Sequence, residues 1–520
     1  MKKSNNWTVS LLTSWGLFLS FGIFLALLTP LGEGMDEPWH FAYVQSVAQH
    51  SGIFSAPPNF ISNEVDQFLK IHPASWSVHK SSSLVQTYEE YWAQPPEIRS
   101  AADQAIRDLR FTGIYDEASG ALATQYEGHQ PPAYYLIAAP IFIWASKSYS
   151  FTTTFMLVRL WTVLIASLVI PGILVLTRLL SKEPLSSNTM LIAALFPGIY
   201  PGVIRVSNDA LMAALACWFF VTFIAYLKTE RRGFLFLSSA LLVAGLWTKA
   251  FFVPILAGTV LILVLYRQFR PALIILAISV LGWPWYLLNL QHSGAITGLP
   301  ETVQGHITLA DSFRAVSRLD WSNLFKVLRS SHIWIGNWSF LGIRSWMYQS
   351  VFWIFFLAVL GLFLRPRQLI DRTILPLIIL YGVFAAALVY YATQVFLHTG
   401  QSVAEGWYLT SFIPIEAVLF VAGAVTLLGR HARWPIGLLE LLCLVIAVYS
   451  AMFVALPYYS GFTSHNPSGS VTTFHPALTD LFEMMGRLLR YSPGIPQIVA
   501  WLLLGSFVFL GGYRIYRENS

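Results

Sequence analysis

Residues 9–31 read VSLLTSWGLFLSFGIFLALLTPL, and the polar stretch 32–44 that follows them reads GEGMDEPWHFAYV. The first stretch exceeds the about 20 apolar residues that cross a bilayer and the roughly 7–15 of a signal-peptide core. It also lacks a clear small-residue cleavage site, so we interpret it as a retained membrane-spanning helix. Further spans are predicted to begin near Ala133, Thr154, Met190, Ala210, Phe234, Val253, Ala272, Val351, Ile374, Tyr408, Ile436 and Gln497.

Composition agrees with an all-α polytopic membrane protein of about twelve or thirteen spans. Only 11% of the 520 residues are charged, against about 25% in soluble domains, and the mean hydropathy is +0.59. The net charge of +6 is scattered between apolar runs, whereas a nucleic-acid surface gathers its basic residues into one stripe. The chain is therefore not expected to bind nucleic acid.

Basic clusters indicate the orientation, because short cytoplasmic loops are enriched in Lys and Arg. The clusters expected at the cytoplasm are Lys2/Lys3, Arg178/Lys182, Lys228/Arg231/Arg232, Arg267/Arg270, Arg365/Arg367/Arg372, Arg430/Arg433 and Arg514/Arg517. The polar stretches 32–131, 291–349 and 457–496 then belong to the opposite face, as loops of one domain spanning 1–520. The run 133–145 is short for a full crossing and is expected to be a half-crossing or a tilted helix.

The first of these loops carries paired carboxylates beside the first span. In Asp36-Glu37-Pro38-Trp39-His40, Pro38 suits the first turn of a helix and either acid can cap that turn. Helical spacing of the following apolar residues, with Trp39 and Tyr43, predicts an amphipathic helix on the bilayer surface. The acids either cap this helix or belong to an active site.

A second polar cluster, Glu127-Gly128-His129-Gln130-Pro131-Pro132, stands where the same loop returns to the membrane. The two clusters meet in space if the adjacent helices pack together. Glu127 and His129 are candidates for orienting an acceptor, holding a phosphate or binding a divalent metal, although two ligands without a third are a weak metal pattern. His129 equally fits a structural role. No cofactor is firmly predicted.

Together these motifs resemble the GT-C superfamily of membrane glycosyltransferases, and in particular the bacterial relatives of protein O-mannosyltransferases and the lipid A aminoarabinose transferase. Those enzymes carry an acidic motif after the first helix and a His-Pro-Pro-type motif before the second; here Gln130 intervenes. Three later segments resemble the family in order: Ser207-Asn208-Asp209-Ala210, Gly245-Leu246-Trp247-Thr248-Lys249, and Gly406-Trp407-Tyr408-Leu409. Trp407 stands where the family often has arginine.

The resemblance implies a GT-C-type helical bundle in a bacterial plasma membrane, with its active site on the non-cytoplasmic face. It implies a sugar donor linked to a polyprenyl phosphate, a lipid, glycan or protein acceptor, and inversion at the anomeric carbon. Because the lipid phosphate is a good leaving group, the chemistry needs one carboxylate base and positive charge near the phosphate. Asp36 is the predicted base, with Glu37 second.

Donor or acceptor binding is expected from the remaining polar residues of the motifs. Arg205 and Lys249 fall on the acidic-loop side, against the general bias, and are predicted to face a polar cavity and hold the lipid phosphate, or to anchor at lipid headgroups. Asp209 is expected to pair with one of them or to cap a helix. The further candidates are His40, Glu127, His129, Trp407 and Tyr408.

Two other hypotheses remain. The aromatic side chains within 334–340 either stack on sugars or belong to the belt of aromatic residues at a membrane interface. The chain as a whole could be a transporter or flippase of a lipid-linked glycan, although transporters usually show paired interrupted helices in two halves, and we find no internal repeat here. The sequence does not specify the sugar or the acceptor.

Overall fold

The computed structural model describes residues 2–49, 59–81, 86–115, 123–180, 185–296, 298, 309–364, 373–466, 471–475, 477–492 and 494–519. The basic residues Lys182, Arg365, Arg367 and Arg372 lie outside the described residues. Of these described residues 79% are helical, and extended pairing among them is limited to isolated bridges. The predicted all-α membrane class is confirmed.

Twenty-five α-helices succeed one another along the described chain. They are α1 (Lys2–Leu28), α2 (Glu37–Gln49), α3 (Asn63–Ile71), α4 (Trp76–Ser81), α5 (Tyr88–Ala93), α6 (Pro96–Asp108), α7 (Ala133–Ser146), α8 (Phe151–Ser167), α9 (Val169–Leu180), α10 (Leu185–Leu195), α11 (Tyr200–Val203), α12 (Asp209–Thr229), α13 (Arg232–Leu246), α14 (Phe252–Leu265), α15 (Phe269–Ser279), α16 (Pro284–Ser293), α17 (Leu309–Val316), α18 (Trp321–Ile333), α19 (Ser345–Leu364), α20 (Ile374–Thr399), α21 (Ile413–Leu428), α22 (Arg433–Tyr449), α23 (Leu456–Tyr459), α24 (Leu478–Leu488) and α25 (Gln497–Asn519).

Fewer described helices are long and apolar enough for a full span than the twelve or thirteen spans that the sequence predicts. Among the described residues, seven have the necessary length and composition, or eight if the bent pair Phe269–Gly282 and Pro284–Ser293 forms one span. One of the seven, Gly406–Tyr459, contains both α21 and α22. Every predicted apolar segment holds a helix, but several of these helices are too short to count as full spans.

Helix α7 is one of the apolar helices that are too short for a full membrane span. Its 14 residues extend about 21 Å at 1.5 Å per residue, less than the roughly 30 Å of a hydrocarbon core. Pro140 interrupts its backbone hydrogen bonding. The structure therefore agrees with the expectation that 133–145 does not cross upright and in full.

The three long polar stretches pack against one another at one end of the bundle. Glu33 joins them: its carboxylate accepts hydrogen bonds from Ser339 N (2.9 Å) and Tyr459 Oη (3.3 Å) through Oε1, and from Tyr88 Oη (2.9 Å) through Oε2. Burial raises the pKa of Glu33 to about 7, and these hydrogen bonds oppose the shift. One buried carboxylate thus connects segments more than 400 residues apart in the chain.

Helix α2 differs from the predicted surface helix. Residues 40–46 are all buried, including its polar residues. Ser62 Oγ donates to Gln45 Oε1 (2.9 Å), and Gln45 in turn donates to Glu64. The loop itself satisfies polar side chains of α2, so α2 is not exposed as a surface helix would be, and its position at the bilayer interface stays a prediction.

Candidate active site

Asp36 lies in the turn between α1 and α2, directly before α2 begins. Its φ angle is +57°, a left-handed conformation that Asp and Asn tolerate better than most residues. Its backbone carbonyl accepts a hydrogen bond from His40 N (3.0 Å). The side chain is partly buried. This strained position is of the kind that surrounding structure maintains at functional sites.

The surroundings of Asp36 favour its protonated form. Burial raises the pKa of Asp36 to about 7, and the negative charge of Glu127 adds to the shift, while Arg205 and Lys249 oppose it. A carboxyl group with a pKa near neutrality can exchange a proton with a substrate at ordinary pH. Asp36 therefore has the electrostatics expected of a general base.

Glu37 is held very differently. Its Oε1 accepts hydrogen bonds from Arg159 Nε (2.8 Å) and Val206 N (2.9 Å), and its Oε2 accepts from Gly32 N (3.0 Å). Arg159 Nη2 completes an ion pair in which both side chains are fully buried. With its oxygens occupied, Glu37 fixes the turn that presents Asp36.

Arg159 is a site residue that the sequence reasoning missed. Besides Glu37, it donates to the backbone carbonyls of Ala26 (2.9 Å), Thr29 (2.6 Å) and Pro30 (3.0 Å). These carbonyls lie at the end of α1. A single arginine in the otherwise apolar helix α8 was the available signal, because intramembrane charges usually have a specific partner.

Three charged residues form a compact cluster beside Asp36. Asp209, at the start of α12, pairs with both predicted cations: Oδ2 with Arg205 Nη2 (2.7 Å) and Oδ1 with Lys249 Nζ (2.5 Å). Lys249 lies in the turn between α13 and α14, so segments distant in sequence meet here. Arg205 is 5% exposed and its Nε has no hydrogen-bond partner among the described residues.

Gly34 allows this cluster to approach the Asp36 turn. A Cβ atom at Gly34 would lie 2.5 Å from Arg205 Cβ and 2.9 Å from Arg205 Cδ. Such distances do not occur between real side chains, so only glycine fits unless Arg205 moves. Gly34, two residues before Asp36, is therefore needed for the close approach of Arg205 to this turn.

Glu127 and His40 form a second group of polar side chains near Asp36. His40 Nε2 is 3.9 Å from Glu127 Oε2, and His40 Nδ1 is 2.8 Å from Tyr135 Oη. Burial raises the pKa of Glu127 to about 7 against the effect of Lys249. Burial, with the charges of Lys249 and Arg205, lowers the pKa of His40 well below its usual value. His40 is therefore neutral at physiological pH.

The remaining motif residues are linked to these groups by hydrogen bonds. Asn208 Nδ2 donates to Gln130 Oε1 (3.0 Å) and to the carbonyl of Thr248 (3.0 Å), joining three motifs of the sequence. His129 Nδ1 lies 2.9 Å from the carbonyl of Tyr126, and its Nε2 lies 3.1 Å from Gln130 Nε2. Gln130, which interrupts the His-Pro-Pro pattern, is thus a connecting residue.

Trp407 and Tyr408 belong to the 3₁₀ segment Gly406–Phe412. The Tyr408 ring packs edge-on against Phe251, with centroids 4.8 Å apart, and Lys249 Nζ lies 5.0 Å from the centroid of the Phe251 ring. Tyr408 is therefore linked through Phe251 to Lys249, and the binding roles expected of Trp407 and Tyr408 stay predictions.

The described residues contain no group of three or more His, Cys, Asp and Glu side chains that could hold a metal ion. Glu127 and His129 do not acquire a third ligand within that part of the chain. What the site does combine is one carboxyl group of raised pKa, two cations held by Asp209, and a fixed turn. This arrangement can accept a proton and stabilise a neighbouring anion.

Comparisons with known proteins give two structural likenesses. No family model and no curated protein sequence matches the chain. It is similar to ArnT from Cupriavidus metallidurans in the apo state, with 13% identity and a TM-score of 0.46, covering 99% of this chain and 78% of that chain. It is also similar to the oligosaccharyltransferase from Archaeoglobus fulgidus in the apo form, with 10% identity and a TM-score of 0.41, covering 86% of this chain and 55% of that one.

Proposed function

We propose that this protein is a GT-C-type glycosyltransferase of a bacterial plasma membrane, which moves a sugar from a polyprenyl-phosphate donor to an acceptor on the non-cytoplasmic face. The observation that carries the proposal is the position of Asp36: a carboxyl group with a pKa near 7 beside the Arg205–Asp209–Lys249 cluster. The sequence resemblance supports the same reaction class.

In this reaction the acceptor's hydroxyl or amine attacks the anomeric carbon, and the bond from that carbon to the phosphate oxygen breaks. The lipid phosphate leaves with the electron pair, and Asp36 takes the acceptor's proton. Lys249 and Arg205 stabilise the departing phosphate, Lys as a point charge and Arg as a fork. Glu37 and Arg159 hold the turn and touch no reacting atom.

A cavity inside the bundle supports a lipid-linked donor. Its volume is ≈ 310 Å³, and its walls come mainly from apolar residues of α10, α18, α19, α20 and α21, such as Ile192, Phe352 and Leu388. Leu409, which also lines it, directly follows Tyr408 of the candidate site. An apolar space that reaches the border of a phosphate site suits a molecule with an isoprenoid chain and a phosphate head.

The decisive experiment uses the purified protein in lipid bilayers with a panel of polyprenyl-phosphate sugars, and measures sugar transfer and release of free lipid phosphate. Asp36→Asn should lower turnover roughly 100-fold or more, the range expected for a lost general base. Asp108→Asn, an exposed position in the same loop, should behave as the wild type. Lys249→Met should weaken donor binding and lower kcat/KM, because it removes a charge that stabilises the departing phosphate.

Near-normal turnover of Asp36→Asn would contradict the assignment of the base. The transporter hypothesis gives a different result: wild-type protein would move the lipid-linked sugar across the bilayer without releasing lipid phosphate. That outcome would replace the enzymatic proposal.

A further inference from the structure

A second cavity lies among the polar loops, on the segment that carries Asp36. Its volume is ≈ 410 Å³, within the range of roughly 300–1,000 Å³ that small-molecule sites occupy. Leu31–Glu33 and Pro38–Trp39 form one wall, so the Asp36 turn separates this cavity from the charged cluster. Asp36 itself is not among the lining residues.

Aromatic rings form much of the cavity wall. Trp39, Trp338 and Phe340 come from two different loops, and Phe340 is 49% exposed at the rim. Phe340 has a φ of +48°, a conformation that is unusual for a bulky residue and positions its ring. The flat faces of such rings pack against the C–H face of a pyranose sugar.

A buried histidine also belongs to the lining of this cavity. His72 is 5% exposed, lines the cavity, and its Nε2 has no hydrogen-bond partner among the described residues. Burial, together with the charge of Arg490, lowers the pKa of His72 well below its usual value, so this ring is neutral. A neutral imidazole nitrogen buried without a partner costs free energy unless a ligand supplies one.

The lining also restricts the charge of the ligand. The lining includes Glu33 but no Lys or Arg. It therefore holds no cation that would neutralise the negative charge of a phosphate or carboxylate. The carboxylate of Glu33 is already occupied by Ser339, Tyr88 and Tyr459. The walls come from loop segments rather than from the long apolar helices, which argues against a lipid tail.

We propose that this cavity binds a neutral sugar unit of the acceptor, with its ring against Trp39, Trp338 and Phe340 and a hydroxyl on His72 Nε2. The inference rests on the proposed function, since an acceptor glycan held here lies beside the turn that presents the base. It would make the acceptor a glycan or glycolipid.

The test measures binding rather than turnover. The full-length protein in lipid nanodiscs is titrated with methyl glycosides of glucose, galactose and mannose and with N-acetylglucosamine, by saturation-transfer NMR and tryptophan fluorescence. Glucose 6-phosphate serves as the anionic comparison. We expect saturable binding of at least one neutral sugar and none of the phosphate.

Two variants locate the binding. His72→Phe keeps a ring beside Phe68 and Tyr491, whose centroids lie 4.8 and 5.4 Å from that of His72, but removes Nε2. It should weaken sugar binding about tenfold, the loss expected for a hydrogen bond to a buried group. Phe340→Asn tolerates the positive φ and should weaken binding similarly. His292→Phe, at an exposed position, is the matched control.

The absence of saturable binding of every neutral sugar, or binding unchanged in both His72→Phe and Phe340→Asn, would overturn the proposal. Because no donor is present in this assay, that result leaves the Asp36 experiment unaffected. Conversely, loss of sugar binding in both variants, with binding of the polyprenyl-phosphate donor unchanged, supports an acceptor site separate from the donor site.

Discussion

At the scale of single residues, two neighbouring carboxylates lie in opposite surroundings. Asp36 has a raised pKa and a strained backbone, whereas Glu37 is fully buried and fixed by Arg159. The sequence alone left the choice between capping and catalysis open. Because the Glu37–Arg159 contact joins residues 122 positions apart, no local pattern could have predicted how the side chain of Glu37 is held.

The first residue-scale prediction concerns pH. Since Asp36 must be deprotonated to act as a base, kcat/KM should rise with pH through an acidic limb near 7. Burial is the main cause of the raised pKa and the charge of Glu127 the next. Glu127→Gln removes that charge and should move the limb to lower pH, as measured by pH profiles of both proteins. If the acidic limb of kcat/KM has the same midpoint pH in both proteins, Asp36 is not the titrating group.

A second prediction separates structure from chemistry. Glu37→Gln leaves the buried Arg159 charge without its carboxylate and should destabilise the protein by about 3–5 kcal/mol, measured by thermal unfolding in detergent. Glu483→Gln breaks the exposed pair with Arg487 and should cost at most ~1 kcal/mol. Equal effects of the two changes would show that the buried pair does not hold the turn.

At the scale of elements, the sequence predicted the positions of the helices better than their surroundings in the fold. Each apolar segment contains a helix, because a run of apolar residues and its flanking polar residues are local information. The environment of α2 was mispredicted because Ser62 and Glu64, which satisfy Gln45, lie in a different segment. The meeting of the motifs at Asn208 likewise depends on helix packing.

Gly406 provides a prediction about one such packing contact. A Cβ atom there would lie 2.0 Å from the carbonyl oxygen of Leu328 and 2.3 Å from His332 N, so Gly406→Ala must push α18 away from the Trp407–Tyr408 segment. We expect a loss of about 1–3 kcal/mol in stability and reduced turnover. Gly382→Ala, in α20, meets no atom within 4 Å and should instead stabilise by up to ~1 kcal/mol.

If Gly406→Ala were as stable and active as Gly382→Ala, the close approach of α18 would have no functional role.

At the scale of the whole molecule, the three polar stretches share one end of the bundle, and the proposed orientation places that end outside the cytoplasm. Cysteine at Ser100 should then be labelled by an impermeant maleimide in intact cells, and cysteine at Glu230 should not; both positions are exposed. The native Cys217 and Cys443 are buried and give little background. Labelling of Glu230→Cys alone would invert the orientation.

The Arg205–Asp209–Lys249 cluster has a consequence for the end of the reaction cycle. The cluster carries one net positive charge, which a deprotonated Asp36 balances before transfer. In the proposed reaction, transfer neutralises Asp36 with the acceptor's proton, while the phosphodiester donor becomes a phosphomonoester of greater negative charge. The spent lipid is therefore held more tightly than the donor, and its escape requires Asp36 to return that proton to water. Product departure, rather than bond breaking, is then expected to limit the steady-state rate, with a faster first turnover.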